Sequence, residues 1–332
     1  MNQIIEDLKN PTALPDHTTQ VAVVQTHISV VFVADSFVYK IKKPVNFGFL
    51  DFSTLEKREH YCHQEVELNR RLARDLYLDV LPVTRINGKY TLTGQDGDPV
   101  EYAVKMKRIP DDRLMKSLFM AGKITSEHLK KIADVLSKFH ASARTGPEID
   151  QFASPEKFKI NTDENFEQVR NHCGLTVSEK EFRDIREYTN TFYKTHRDLF
   201  FKRIADGRIR DCHGDLHMEH VCLMEGLPII DCIEFNERFR FSDTIADIAF
   251  LLMDLEYHGG VKDAEIIWNH YRNLSKEEDV DHLLKFYKIY RAFVRGKVNG
   301  FQVDDPAIGG EEKEQAVRRA QSYFSLAHSY IS

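Results

Sequence analysis

The strand-forming residues of this chain are gathered at its front, and that segregation limits the architectures open to it. Three short runs rich in β-branched and aromatic residues are Val21-Ala22-Val23-Val24, Ile28-Ser29-Val30-Val31-Phe32-Val33 and Phe37-Val38-Tyr39-Lys40-Ile41-Lys42. Breaks at Gln25-Thr26-His27 and Ala34-Asp35-Ser36 make them three antiparallel strands in prediction. A charged helix is expected from Leu55 to Leu76, with Cys62, Val66, Asn69 and Ala73 along one face. Further strands are predicted at Val80–Val83, Tyr90–Leu92 and Tyr102–Met106, with Asn87-Gly88 as a hairpin turn. Beyond Pro110-Asp111-Asp112 the pattern turns helical, at Leu129–His140, Glu179–Leu199 and Leu284–Val298. Only the stretch around 212 to 231 interrupts it with strand-like residues, and Thr244-x-x-Asp247 reads as a capping box ahead of a buried helix. The expected class is α+β: a small β-rich lobe with one helix over residues 1–108 and a larger, mainly helical lobe over 109–332.

At 332 residues and 42% hydrophobic, the chain has enough apolar side chains for a substantial core. Its net charge of −6 argues against nucleic acid as a partner and against a polybasic membrane surface. No run approaches the roughly 18 apolar residues of a spanning helix, and the first residues lack the basic and apolar regions of a secretion signal. Five cysteines, at 62, 173, 212, 222 and 232, form no Cys-x-x-Cys pair, and an odd number suits a disulfide framework poorly. A reduced, cytoplasmic protein is expected. Neither G-x-x-x-x-G-K-[ST] nor G-x-G-x-x-G occurs, so any nucleotide site is of neither the Walker nor the Rossmann kind.

Chemistry concentrates in His213-Gly214-Asp215-Leu216-His217 and, sixteen residues after Asp215, in Asp231 of Ile229-Ile230-Asp231-Cys232-Ile233-Glu234. The first segment reads as a tight loop, the second as the end of a buried strand, since Leu227-Pro228-Ile229-Ile230 runs straight into the acid. Gly-Asp is also ordinary turn chemistry, so the triplet carries weight only through its company. Two carboxylates on neighbouring loops divide the work of phosphoryl transfer: one orients and deprotonates a hydroxyl, the other holds the Mg²⁺ that bridges the phosphates. Lys40 and Lys42, two apart on a predicted strand, point to one face. Glu65 shares a helical face with Cys62 and Asn69, whereas Glu67 faces elsewhere.

This set, in this order, resembles the aminoglycoside phosphotransferase-like branch of the protein-kinase-like fold. The likeness sharpens in Thr26-His27-Ile28-Ser29, Tyr39-Lys40-Ile41-Lys42-Lys43-Pro44-Val45, Gly48-Phe49-Leu50-Asp51-Phe52-Ser53-Thr54 and Asp231-Cys232-Ile233-Glu234-Phe235-Asn236. Asn69-Arg70-Arg71-Leu72 and Leu252-Met253-Asp254-Leu255 fit as well. Together these are similar to a bacterial group of predicted kinases in which a P-loop kinase domain often follows; no P-loop occurs within these 332 residues. The resemblance implies an ATP-dependent phosphotransferase acting on a small-molecule hydroxyl, with Mg²⁺ or Mn²⁺. It makes Asp215 the catalytic base with His213 bracing its loop, and Asp231 the principal metal ligand. Lys40, paired with Glu65, would reach the nucleotide phosphates. Lys42 and Met106 join them on the cofactor-binding side, and His217, Glu234 and Asn236 stand on the substrate side.

One position departs from the pattern. Five residues after the catalytic Asp, where such kinases carry a metal-binding Asn, this chain has His220, and an imidazole is a poorer ligand than an amide oxygen for hard Mg²⁺. Two other readings stay open: a nucleotide-binding pseudokinase acting as scaffold or sensor, and a metal-dependent phosphoesterase built on the Asp-x-His spacing of Asp215 and His217 with His213 and His220 nearby, the flanking Cys212, Cys222 and Cys232 fitting no familiar zinc pattern. Asp243, Asp247, Asp254 and Glu256 are either an acidic wall for a cationic acceptor or caps and surface charge. Arg291, Arg295 and Lys297 have no assigned part. The acceptor and the oligomeric state are not legible.

Overall fold

A computed structural model describes residues 1–94, 97–304 and 308–331. The chain divides into two compact units, residues 1–123 with 219–237, and residues 124–218 with 238–332.

The first unit is built on an antiparallel sheet of order β1-β2-β3-β6-β4-β5, with β1 Ala22–Gln25, β2 Ser29–Val33, β3 Phe37–Lys42, β4 Tyr77–Ile86, β5 Lys89–Thr91 and β6 Glu101–Lys107. Alternation along β3 decides what each face holds. Tyr39 and Ile41 point to one side, where they pack with Val30, Phe32, Val83 and Ala103 under Ile4, Ile5 and Leu8 of the short helix α1 (Asn2–Leu8). Lys40 and Lys42 point to the other, which carries Val104 and the helix α2 (Leu55–Ala73). Thr54 caps α2 by accepting from Lys57 N, and Cys62, Val66 and Ala73 form its apolar stripe against Val104, Leu76 and Tyr77. Each such aliphatic side chain contributes about 1.5–3 kcal/mol when fully buried. Glu65 lies on this same buried stripe, fully inaccessible, so the helix carries a carboxylate to the lysine face of the sheet. Within residues 1–108, where one helix is expected, the short α1 joins α2, and α3 (Met115–Met120) follows beyond that range in the same unit.

Residues 219–237 are stitched into the first unit by backbone hydrogen bonds, Met115 N to Val221 O (2.8 Å), Leu223 N to Arg113 O (2.7 Å) and Ile229 N to Leu72 O (3.3 Å). The strand expected at 227–230 is reduced to an isolated bridge between Val221 and Ile229. Leu227 breaks it by taking a left-handed conformation, φ 46°.

The second unit is helical: α4 Ser126–Ser142, α5 Pro147–Asp150, α6 Pro155–Val169, α7 Glu179–Thr195, α8 Arg197–Ala205, α9 Glu237–Arg240 (its first residue in the other unit), α10 Thr244–Tyr257, α11 Val261–Ser275, α12 Asp281–Phe301 and α13 Gly310–Ser329. A two-stranded ribbon, β7 Ile209–Asp211 with β8 Phe241–Asp243, is the exception. The helix expected over Glu179–Leu199 is broken at His196, whose φ −123° and ψ 25° are not helical. The all-apolar run of α10 makes it the buried axis of this unit, with every residue from Thr244 to Leu255 inaccessible. Its cap is Asp243, which accepts from Ile245 N, and not the predicted Thr244–Asp247 box. Asp247 is left with a different task.

Candidate functional site

In the first unit two lysines meet three carboxylates. Lys40 Nζ donates to Glu65 Oε1 at 2.9 Å and to Asp231 Oδ1 at 2.8 Å. Lys42 Nζ donates to the other Glu65 oxygen at 2.6 Å and to Glu234 Oε1. Phe52 lies under the Lys42 ammonium, 4.8 Å away. Burial alone would lower the Lys40 pKa, but the Asp231 and Glu65 charges outweigh it and hold the lysine well above its ordinary value. Burial likewise opposes the charge on Glu65, and Lys40 and Lys42 keep its carboxyl below the usual range. With two ammonium groups for three acids, one carboxyl is in excess; burial pushes the Glu234 carboxyl up.

The Asp231 turn is fixed from behind. Asp231 has φ 60°, a strained conformation for a residue with a side chain. Its N–H donates to Tyr77 Oη (3.1 Å), and the next, of Cys232, donates to Asn69 Oδ1 (2.9 Å). Asn69 in turn donates to Glu65 O (2.8 Å), so one side chain links the helix turn carrying Glu65 to the Asp231 loop. Asp231 stays 44% exposed, while Lys42 is 1% exposed: the first is reachable by a ligand, the second is interior. Asn236 Nδ2 donates to Phe49 O (2.9 Å), and Met106, partly buried, pairs with Val38 across the sheet.

The second unit presents Asp215 on a loop whose amides are tied down. His213 N and Gly214 N donate to Asp247 Oδ2 (3.0 Å) and Oδ1 (2.8 Å). Gly214, at φ 87°, makes the left-handed step that a side chain would resist. Arg291, anchored on Ala246 O, donates to Gly214 O (2.9 Å). Burial alone would raise the Asp247 carboxyl, yet the His140 bond (3.1 Å) and nearby charges hold it far below the usual range. His213 Nδ1 accepts from Asp215 N at 3.3 Å, which puts the His213 proton on Nε2. Asp215 itself is 35% exposed, with His217 Nε2 3.6 Å from its carboxylate.

The expected residues thus fall into two groups: Lys40, Lys42, Glu65, Met106, His220, Asp231, Glu234 and Asn236 in the first unit, and His213, Asp215 and His217 in the second. Asn69, Tyr77, His140, Asp247 and Arg291 escaped sequence reasoning as site residues. Only Asp247, Arg291 and Asn69 carried a signal, as a polar residue in an apolar run, a basic residue on an amphipathic helix and part of the Asn69–Leu72 likeness.

A hard divalent cation suits Asp231, whose carboxylate is an accessible oxygen donor on a braced turn; His220 Nε2, 3.5 Å from Asp231 Oδ2, is a nitrogen donor and suits Mn²⁺ better than Mg²⁺. Among the thiols, burial pushes Cys62 and Cys222 up to about 12 and Cys212 well above its ordinary value; Cys212 also groups with the buried His140 and Asp247, their ligand atoms within 4.8 Å of one another. No helix among the described residues is long and apolar enough to cross a membrane.

The chain is similar to known proteins. Uncharacterized proteins of Mycobacterium tuberculosis and Mycobacterium bovis are 35% identical over 275 residues, 82% of this chain; the chain spans about half, 53%, of their length. The fold is shared with a choline/ethanolamine kinase family protein of Mesorhizobium loti, at 14% identity over 95% of this chain and 92% of that one, TM-score 0.52. An amicoumacin kinase is similar at 12% identity over 95% and 91%, TM-score 0.52. The architecture is α+β and protein-kinase-like. Residues 36–282 match the phosphotransferase enzyme family, so the chain belongs to that family.

Proposed function

We propose that the chain is an ATP-dependent kinase of a small-molecule hydroxyl. The observation that carries this reading is the bridging of Glu65 and Asp231 by Lys40, which puts a phosphate-seeking cation beside an accessible metal-ligating carboxylate. The amicoumacin kinase of the same fold is seen with AMP-PNP and Ca²⁺, which agrees with nucleotide and a divalent ion here.

In this reading residues 1–108 bind nucleotide and 109–332 carry the acceptor chemistry. Lys40 turns its ammonium to the phosphates while Glu65 keeps it aimed. Asp231 would hold Mg²⁺ or Mn²⁺, with His220 as a further ligand, and the ion would supply neutralisation of phosphate charge. Asp215 accepts the proton of the acceptor hydroxyl as that oxygen bonds to the γ-phosphorus. The bond from the γ-phosphorus to the bridging oxygen breaks, and its electron pair leaves on ADP. His213 fixes the loop, and His217 and Asn236 face the acceptor. Met106 lies on the nucleotide side. Lys42 and Glu234, being interior, serve as fixed counter-charges behind Lys40 and Asp231 in place of direct ligand contacts.

His220 favours a second reading, a nucleotide-binding protein without turnover. The test is ADP release from ATP with Mg²⁺ or Mn²⁺ across a panel of sugar, amino-alcohol and polyol acceptors. Acceptor-dependent release that falls about 10³-fold or more in Asp215→Asn supports the kinase. Release that survives the substitution removes Asp215 from its role, and binding with no release under any acceptor supports the second reading.

A further inference from the structure

We infer that Asp254 is a positioning residue for Asp215; the inference rests on the phosphotransferase reading above. Asp254 lies seven residues after Asp247 on α10, two helical turns along and on the same face. Asp247 accepts the amides that open the loop, at His213 and Gly214. Asp254 Oδ2 accepts the amide that closes it, Met218 N, at 3.0 Å. Asp215 therefore sits between two carboxylate anchors on one rigid helix, with Arg291 holding the intervening Gly214 O.

The place of Asp254 in its helix argues for the anchor over a role in helix stability. Asp247 is in the first turn, where the helix dipole favours a carboxylate; Asp254 is in the last, where the dipole opposes one. It is 2% exposed and caps nothing. Its neighbours include Tyr323 Oη (3.5 Å), His258 Nε2 (3.8 Å) and the charge of Arg295, which lies over the Tyr323 ring and, among the described residues, has no carboxylate within ion-pair distance. A buried carboxylate at a helix C-terminus, with a long hydroxyl contact and a His258 contact of 3.8 Å, is poor material for stability alone. What it does make is a well-formed bond to the backbone three residues beyond the base.

The test compares Asp254→Ala with Asp254→Asn, which keeps a carbonyl acceptor. Amide hydrogen exchange at Met218 is expected to quicken about tenfold or more in the alanine variant and to return within about threefold of the parent in the asparagine variant. The kcat for Mg·ATP turnover, with water or an identified acceptor, is expected to fall about tenfold or more in Asp254→Ala while KM for ATP stays within about threefold. Unchanged exchange at Met218 overturns the proposal, as does faster exchange with unchanged kcat. A parent protein that neither binds nor turns over ATP removes the phosphotransferase reading instead, and the exchange rates then decide by themselves whether Asp254 holds the loop.

Discussion

Lys40 and Asp231 are joined ammonium to carboxylate at 2.8 Å, across 191 residues of sequence. The bond occupies the one accessible carboxylate of the first unit's cluster, so a metal ion arriving without nucleotide has to compete with Lys40. Phosphates that draw Lys40 away leave Asp231 to the metal, which predicts that nucleotide and metal bind cooperatively. Lys40→Met is expected to tighten Mn²⁺ binding in the absence of nucleotide by up to about fivefold, the size of a partly exposed ion pair, and to weaken ATP binding. Electron paramagnetic resonance of free Mn²⁺ reads the first effect, and calorimetry the second.

The Lys42–Glu234 pair separates breaking a buried charge from replacing it. Lys42→Met alone leaves three carboxylates facing one ammonium and is expected to destabilise the protein by about 3–5 kcal/mol. The combined Lys42→Met, Glu234→Met protein removes the uncompensated charge with its partner and is expected to recover most of that loss. Urea unfolding of the parent, both single variants and the double variant gives the coupling. An additive double variant contradicts the placement.

Asp247 ties folding to acid. Its carboxyl lies below the ordinary value of 3.8 in the folded chain, so its contribution is present in full above that value and drains as pH falls beneath it. Asp247→Asn leaves a carbonyl for one amide and an NH₂ facing the other, at a cost of about 3 kcal/mol near neutral pH. The gap between parent and variant is expected to narrow toward pH 3 in chemical denaturation.

Lys297 predicts the opposite limb. Burial, with Arg238 nearby, lowers it to about 8 from 10.5, and its ammonium is met by the neutral oxygens of Asn165 and Gln168. The unfolded chain binds the proton more tightly, so stability is expected to rise with pH between about 8 and 10.5 on this account. In Lys297→Met that rise is expected to disappear from melting curves taken across the same range.

Sequence legibility followed the range of the interactions. β2 and β3 are plain because β-branched alternation is a local property; periodicity gives the faces of Lys40 and Glu65, and the family resemblance implies their pairing. Lys42 shared that periodicity with Lys40, yet nothing local distinguishes an interior lysine from one open to a ligand; the difference is made by Glu234, 192 residues away. Asp247 was read as part of a capping box because Thr-x-x-Asp is a local pattern, whereas its partners are the amides of His213 and Gly214. The expected strand at 227–230 had the right apolar residues and lost its ladder to the turn at Leu227. The helix α6 went unread because its buried face includes Asn161, Thr162 and Asn165, polar residues that blunt the apolar stripe.

The most direct measurement is calorimetric titration of ATP into the protein with Mg²⁺, with Mn²⁺ and with EDTA, beside Asp231→Asn. The account predicts binding that needs the metal and collapses in the variant. No ATP binding under any of these conditions would contradict it.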